Sequence, residues 1–308
     1  MNERYLWDRT GPPDDEIAQL ERTLGALRYR PPAGTTRRSS RRPIWFAAAV
    51  AAVICAGIVG ALSSRRQLTE WRFENGRQIR TGQTIETGAL HGTKIEAPDT
   101  GEVTVDPASR LRLIRSGTGE HLFDLRRGTI HAFIWAPAGQ FVVDTPSSKT
   151  VDLGCRYTLQ VSQNGDGLLT VEVGLVAFER DGLESFIPAG ASCVTRRDRG
   201  PGTPYFGDAM PQLKKALDRF DTSGDPSSLG DALAAARPRD ALSLWHLMTR
   251  TKGEKRAEVF DRMASLVPLP PAASRELILR GDGRALDAVW DSLQFGDAAA
   301  WRKWKRQW

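Results

Sequence analysis

The spacing of apolar residues changes several times along the chain, and each change marks an element. Between Gly11-Pro12-Pro13 and Pro31-Pro32, the residues Ile17, Leu20, Leu24 and Leu27 recur at three and four positions, which predicts one amphipathic helix started by Asp14 and Asp15. A helix of about sixteen residues is marginal alone in water, so its stripe needs a surface to cover it. Tyr5, Leu6 and Trp7 add a second apolar patch. A partner protein and a membrane surface both fit these residues. Residues 31–43, rich in Pro, Ser and Arg, read as a tether.

Ile44 to Leu62 then runs nineteen residues without a charge, bracketed by Arg41-Arg42 and Arg65-Arg66. As a helix it covers roughly 28 Å, against about 30 Å of bilayer hydrocarbon, with Trp45 near one end. Val59-Gly60-Ala61 has the small residues of a cleavage site, but 43 residues precede the run, far more than a secretory leader carries; a retained span is the expectation. Six arginines lie within twenty residues on one side and five on the other, too even a count to orient it. Ala48, Ala52, Ala56 and Gly60 share one helix face. Both close packing of two spans in a homodimer and an accident of Ala-rich composition fit that spacing.

From about residue 70 to 195 short runs of β-formers alternate with turns. In "TVDLGCRYTLQV" the residues Val151, Leu153, Cys155, Tyr157, Leu159 and Val161 all fall on one phase, which predicts one strand with a buried face. "NGDG" at 164–167 predicts a hairpin turn. Leu169, Val171 and Val173 continue the alternation, and after Gly174 the phase moves to Val176 and Phe178, as a bulge or kinked crossing requires. Asp181-Gly182 predicts the next turn, and further strands are expected at 93–97, 101–105, 110–114, 120–125 and 128–134. Residues 196–205 read as a linker. Beyond it, Leu, Ala and aromatic residues at helical spacing predict helices over 210–220, 228–250, 252–267, 270–280 and 283–293. The tail "WRKWKRQW" places Trp301, Trp304 and Trp308 on one face, suited to a lipid interface or to packing on the domain.

Composition removes several function classes. The net charge is +6, but the arginines are spread along the length among 37 acids and no nucleic-acid-binding signature joins them, so direct nucleic-acid binding is not expected. Four histidines and three cysteines never meet a metal-ligand spacing, and no nucleophile elbow, zincin or phosphate-loop motif occurs. Neither an enzyme nor a cofactor is expected. In an oxidising compartment Cys155 and Cys193 would close a loop of about 38 residues, worth on the order of 4 kcal/mol if bridged; two separate buried thiols are the alternative.

"DTPSSKTVDLGCRYTLQV" followed by "LLTVEVGLVAFE" resembles the signature of the FecR family of bacterial membrane sigma-factor regulators. The likeness covers about residues 100 to 195. It is carried by Thr145 and Pro146 in the turn, by Val151, Leu153, Gly154, Cys155, Tyr157 and Leu159, and by Val171, Val173, Gly174 and Val176. Cys155 stands where the family usually has Thr, and Tyr157 where it has Phe. The resemblance implies a multi-domain, single-pass inner-membrane protein: a cytoplasmic segment 1–43, a transmembrane helix 44–62, a periplasmic all-β roll or sandwich 63–195, the linker, and an all-α domain 206–308. It also implies an extracytoplasmic-function sigma factor as partner, met by Trp7, Ile17, Leu20, Leu24 and Leu27. The span would face the lipid bilayer, and the periplasmic part an unidentified protein or ligand. Residues 1–43 are shorter than the usual sigma-binding region and hold no His or Cys, unlike zinc-binding anti-sigma domains. A membrane-anchored periplasmic scaffold without transcriptional output is the rival expectation.

Overall fold

The computed structural model describes residues 15–25, 70–117 and 119–296. The chain divides into two compact units, Met1–Arg65 and Arg66–Trp308. In the first, the described element is helix α1 (Asp15–Gly25), at the place the leucine spacing predicts. The expected span 44–62 and the tail at 301–308 lie outside the described residues. Among those described, no helix is long and apolar enough to cross a membrane.

The second unit begins with fifteen strands: β1 (Arg72–Phe73), β2 (Thr84–Glu86), β3 (Thr93–Ala97), β4 (Gly101–Val105), β5 (Arg110–Gly117), β6 (Glu120–Ile134), β7 (Phe141–Asp144), β8 (Lys149–Asp152), β9 (Arg156–Val161), β10 (Gly167–Val173), β11 (Leu175–Arg180), β12 (Leu183–Pro188), β13 (Ala191–Arg196), β14 (Gly200–Pro201) and β15 (Tyr205–Phe206). They form a rolled half-barrel of two layers. One layer runs β2-β5-β6-β7-β8-β11-β12, and the other β1-β3-β4-β6-β9-β10-β13, with β14 and β15 both on β13. Strand β6 belongs to both. Its first half pairs with β5 and, in parallel, with β7; its second half pairs with β4 and β9. The strands expected at 120–125 and 128–134 are therefore one long strand.

The single strand expected over 151–161 is two. β8 ends at Asp152 in one layer and β9 starts at Arg156 in the other, with Leu153-Gly154 as the corner between them. The apolar alternation runs unbroken from Val151 through Tyr157, Leu159 and Val161, all buried, while Thr150 and Asp152 on the other phase of β8 are buried as well, so period two alone does not reveal the break. Leu153, expected inward, is half-buried at the corner. A second crossing lies between β10 and β11 at Gly174, where the phase change predicts one. Register also shifts between Val171 and Val173, which turns Val173 outward at 58% exposure; the expected inward phase ends at Val171.

Between the layers lies the buried core. Trp71 is fully buried, with the Phe123 ring edge-on at 5.0 Å and the Phe141 ring at 5.8 Å. Its indole N–H donates to His121 Nδ1 (3.2 Å), and Thr100 Oγ1 sits 2.9 Å from Nε2. Burial holds the His121 pKa below its usual value.

Residues 196–205 are not a free linker. β14 and β15 both pair with β13, so the chain reaches the helices while still bonded to the sheet. Helices α2 (Pro211–Ser223), α3 (Pro226–Ala235), α4 (Ala241–Arg250), α5 (Gly253–Leu266), α6 (Arg275–Arg280) and α7 (Gly283–Ser292) follow. The helix expected over 228–250 is broken by Pro238, which opens a short 3-10 turn. Helix α4 buries eight of its ten residues. Phe186 of β12 packs against Trp245 and Trp290 at 6.0 and 5.4 Å between ring centres, and the two tryptophans lie 4.8 Å apart. One core therefore runs from the sheet into the helices.

Strand β12 ends the sheet, and an end strand offers unpaired backbone donors and acceptors. Here α4 occupies two of them. Phe186 N–H donates to His246 Nε2 (2.9 Å), and Arg250 donates to Glu184 O (3.3 Å). Desolvation, with the nearby Arg250 charge, pushes the fully buried His246 down to about 3, so the imidazole is neutral and its bare nitrogen is an acceptor.

Candidate functional site

The signature residues converge on the two strand crossings. Thr145 and Pro146 form the β7–β8 turn, where Thr145 Oγ1 accepts from the Ser148 N–H (3.0 Å). Arg180 Nη1 donates to Pro146 O (3.1 Å), and Ser147 Oγ lies 2.6 Å from Thr195 Oγ1, tying this turn to the other layer. Val151, Cys155, Tyr157, Leu159, Val171 and Val176 are all buried. Gly154 and Gly174 stand at the corners with φ of 95° and 86°, a region that disfavours any side chain. They also touch: a Cβ on Gly174 would sit 2.2 Å from Gly154 O and 3.1 Å from Cys155 Sγ. The signature's glycines are therefore one joint, at which both layers turn together.

A polar group is sealed beside this joint. Asp152, 1% exposed, accepts the Gly154 N–H on Oδ1 (2.6 Å) and faces the Cys155 thiol and N–H. Its Oδ2, Thr150 Oγ1 and Tyr157 Oη have no hydrogen-bond partner. Removal from water raises the Asp152 pKa to about 7, because a buried carboxylate without a counter-charge is costly. The same burial raises Tyr157 and Cys155 well above their ordinary ranges. This arrangement holds a proton until near neutrality and is closed to any substrate. Asp152 escaped the sequence reading because it occupies the phase expected to face solvent.

Cys155 and Cys193 are both free, so the bridge is not formed. Strand β10 lies between β9 and β13, and two strand spacings of about 4.8 Å already exceed the Cα separation of about 7 Å that a disulfide tolerates. Cys155 Sγ donates instead to Leu175 O (2.7 Å) and Cys193 Sγ to Gly202 O (3.1 Å). Burial pushes the Cys193 thiol up to about 12, and neither thiol is reactive.

A second buried charge joins β14–β15 to the helices. Asp221 of α2 accepts from Thr203 N (2.6 Å), Thr203 Oγ1 (2.8 Å) and Arg250 Nη1 (3.1 Å). Arg250 also donates through Nη2 to Ser185 Oγ (2.6 Å) and Gly202 O (2.9 Å). Gly202 is required for this approach, since a Cβ there would lie 2.8 Å from Asp221 Oδ2. Arg250 and Asp221 carry no local motif, and only the fold brings them together.

Of the predicted partner-binding residues, Leu20 and Leu24 lie on α1 at 62% and 52% exposure, an uncovered apolar stripe. Ile17 lies within α1, and its side chain is outside what is described, as are Trp7 and Leu27. Ala48, Ala52, Ala56 and Gly60, expected to pack spans together, also lie outside the described residues. Among the described residues no cluster of His, Cys, Asp or Glu could hold a metal ion.

No curated protein matches the chain. Two crystal structures of a protein from Parabacteroides distasonis assigned as an anti-sigma factor are similar at 15% identity and a TM-score of 0.36, covering 44% of this chain. The chain spans 65% and 64% of their lengths, under two thirds. A family model described as FecR protein matches residues 83–177. That match begins before and ends earlier than the likeness read from the sequence: it runs from just before β2 into β11 and leaves β12 to β15 outside. Across residues 83–177, this chain carries a FecR domain.

Proposed function

We propose that this chain is a single-pass membrane signal transducer of FecR type that regulates an extracytoplasmic-function sigma factor. The match of residues 83–177 to the FecR model carries the reading. Two further features support it. The uncharged run Ile44–Leu62 has the length of a span, and α1 on its N-terminal side leaves Leu20 and Leu24 open to a partner. In this proposal residues 1–43 are cytoplasmic and residues 63–308 periplasmic, and the protein transmits an event rather than catalysing one. The sigma factor takes the α1 stripe, and a periplasmic event changes how that stripe is presented.

The test uses the intact chain in its membrane. Leu20→Asp with Leu24→Asp is expected to abolish recovery of a sigma factor on the purified protein and to alter transcription from that factor's promoters. Recovery of no sigma factor by the wild-type chain, with transcription unchanged in the variant, overturns the proposal and favours a membrane-anchored periplasmic binding module.

A further inference from the structure

A cleft of about 400 Å³ opens between the sheet edge β13–β14–β15 and helix α2, within the size range of small-molecule sites. One side is apolar, made by Leu183, Val194, Pro201, Leu217 and Phe220. On the polar side Arg196, Arg199, Lys214 and Arg250 stand with two carboxylates, Asp218 and Asp221; Arg196 also pairs with Asp166 (3.0 Å), so among the described residues Arg199 and Lys214 are the cations left without a carboxylate. Both acids are already committed, Asp218 to Arg196 (2.6 Å) and Asp221 to Arg250 (3.1 Å). Lys214 Nζ donates to Gly207 O (2.7 Å). The Arg199 guanidinium has no side-chain or backbone acceptor among the described residues; its backbone N–H closes the turn on Arg196 O.

The floor adds an independent observation. The Arg250 side chain is 8% exposed, and its Nε has no hydrogen-bond partner, although its other two nitrogens are fully engaged. An unpaired buried donor of this kind is uncommon in native proteins. Arg250 lines the cleft. Positive charge in excess, a free guanidinium at the rim and an unpaired guanidinium nitrogen at the floor all ask for oxyanion acceptors. The apolar wall asks for a hydrocarbon body beside them.

We infer that this cleft is a binding site for a small amphipathic anion, an apolar chain ending in a carboxylate or phosphate. Its two walls come from the sheet and from the first helix after it, so an occupant holds β14–β15 and α2 together at the point where Arg250 also reaches β12. The cleft lies beyond residue 177 and is separate from both the signature joint and the α1 stripe. Its failure leaves the sigma-factor proposal untouched.

Octanoate, octyl phosphate and the neutral octanamide serve as probes. They are titrated by calorimetry into the full chain in zwitterionic-lipid nanodiscs, with empty nanodiscs subtracted. One or both anions are expected to bind saturably, and octanamide about tenfold or more weaker. The tighter of the two anions identifies the head group. Arg199→Glu, at an exposed position, is expected to weaken the anion about tenfold or more without changing Tm. Val194→Trp, which fills the apolar side, is expected to remove binding of all three probes. Absence of saturable binding by either anion overturns the inference. So does equal binding of octanamide, or unchanged affinity in Arg199→Glu, which stands on its own if Val194→Trp fails to fold.

Discussion

Asp152 and Asp221 both have their pKa raised by removal from water, and their surroundings differ in one respect. Asp221 has a cation: Arg250 and Thr203 together supply three hydrogen bonds. Asp152 has none, and keeps one oxygen without a partner. Burial raises both pKa values, but at Asp221 the guanidinium pulls back, whereas at Asp152 nothing of opposite charge stands against desolvation. The junction between sheet and helices is therefore held by a charge pair that must stay whole. The joint between the layers is held by a carboxyl that is best left uncharged.

The largest effect expected from this contrast is at the pair. Arg250→Ala strands a buried carboxylate and uncovers the β12 edge, and should cost about 3–5 kcal/mol in denaturant unfolding. Arg250→Met combined with Asp221→Leu should recover much of that loss. A loss under about 1 kcal/mol for the single variant would remove the distinction between the two sites.

Next in size is the pH response. Asp152 releases its proton near 3.8 in the unfolded chain and near 7 in the fold. Its contribution to stability is present below about pH 4 and is lost as the pH rises through 7. Between pH 5 and 8 the wild type should lose roughly 2–3 kcal/mol relative to Asp152→Asn. His246 works in the opposite direction. Held at about 3 against a usual 6.5, its contribution is present above pH 6.5 and lost as the pH falls toward 3. The two slopes oppose each other between about pH 4 and 6.5, so Asp152→Asn should also make the protein more sensitive to acid, a difference visible in melting curves at pH 4.5 and 8.

Gly174→Ala tests whether the joint depends on shape as well as on charge. The added Cβ meets Gly154 O in a positive-φ residue, and a loss of about 1–3 kcal/mol is expected, with a companion change at Gly154 adding less than its separate value because the corners touch. The smallest stability effect is expected at Leu20→Asp with Leu24→Asp. Both side chains are exposed, so the melting temperature of the Arg66–Trp308 unit should not move, while partner capture is lost.

The regions differ as much in how plainly the sequence announces them. Strands β3 and β4 appear where the alternation predicts them, and so do the turns at 164–167 and 181–182, because each rests on local pattern and turn chemistry. The crossing at Gly174 is visible as a change of phase. The one at Gly154 is hidden, because the chain turns without changing phase. The β14–β15 segment reads as linker since Gly, Pro and Arg say nothing of the two short pairings with β13. Asp152 and Arg250 could not be singled out, because one looks solvent-facing and the other like any surface arginine at a helix end. What the signature did expose is the pair of glycines, since close approach and positive φ leave no other residue suitable.

Helix α4 along β12 has a consequence for life in a crowded compartment. A sheet of this breadth whose last strand lay bare would recruit neighbours, one copy stitching onto the next. Here an uncharged imidazole and a guanidinium fill the vacant backbone positions at Phe186 and Glu184, so at these two positions the margin is sealed by the molecule's own helix. Any process that pried α4 away would expose an adhesive border, which makes that helix a guard against self-association as well as part of the core.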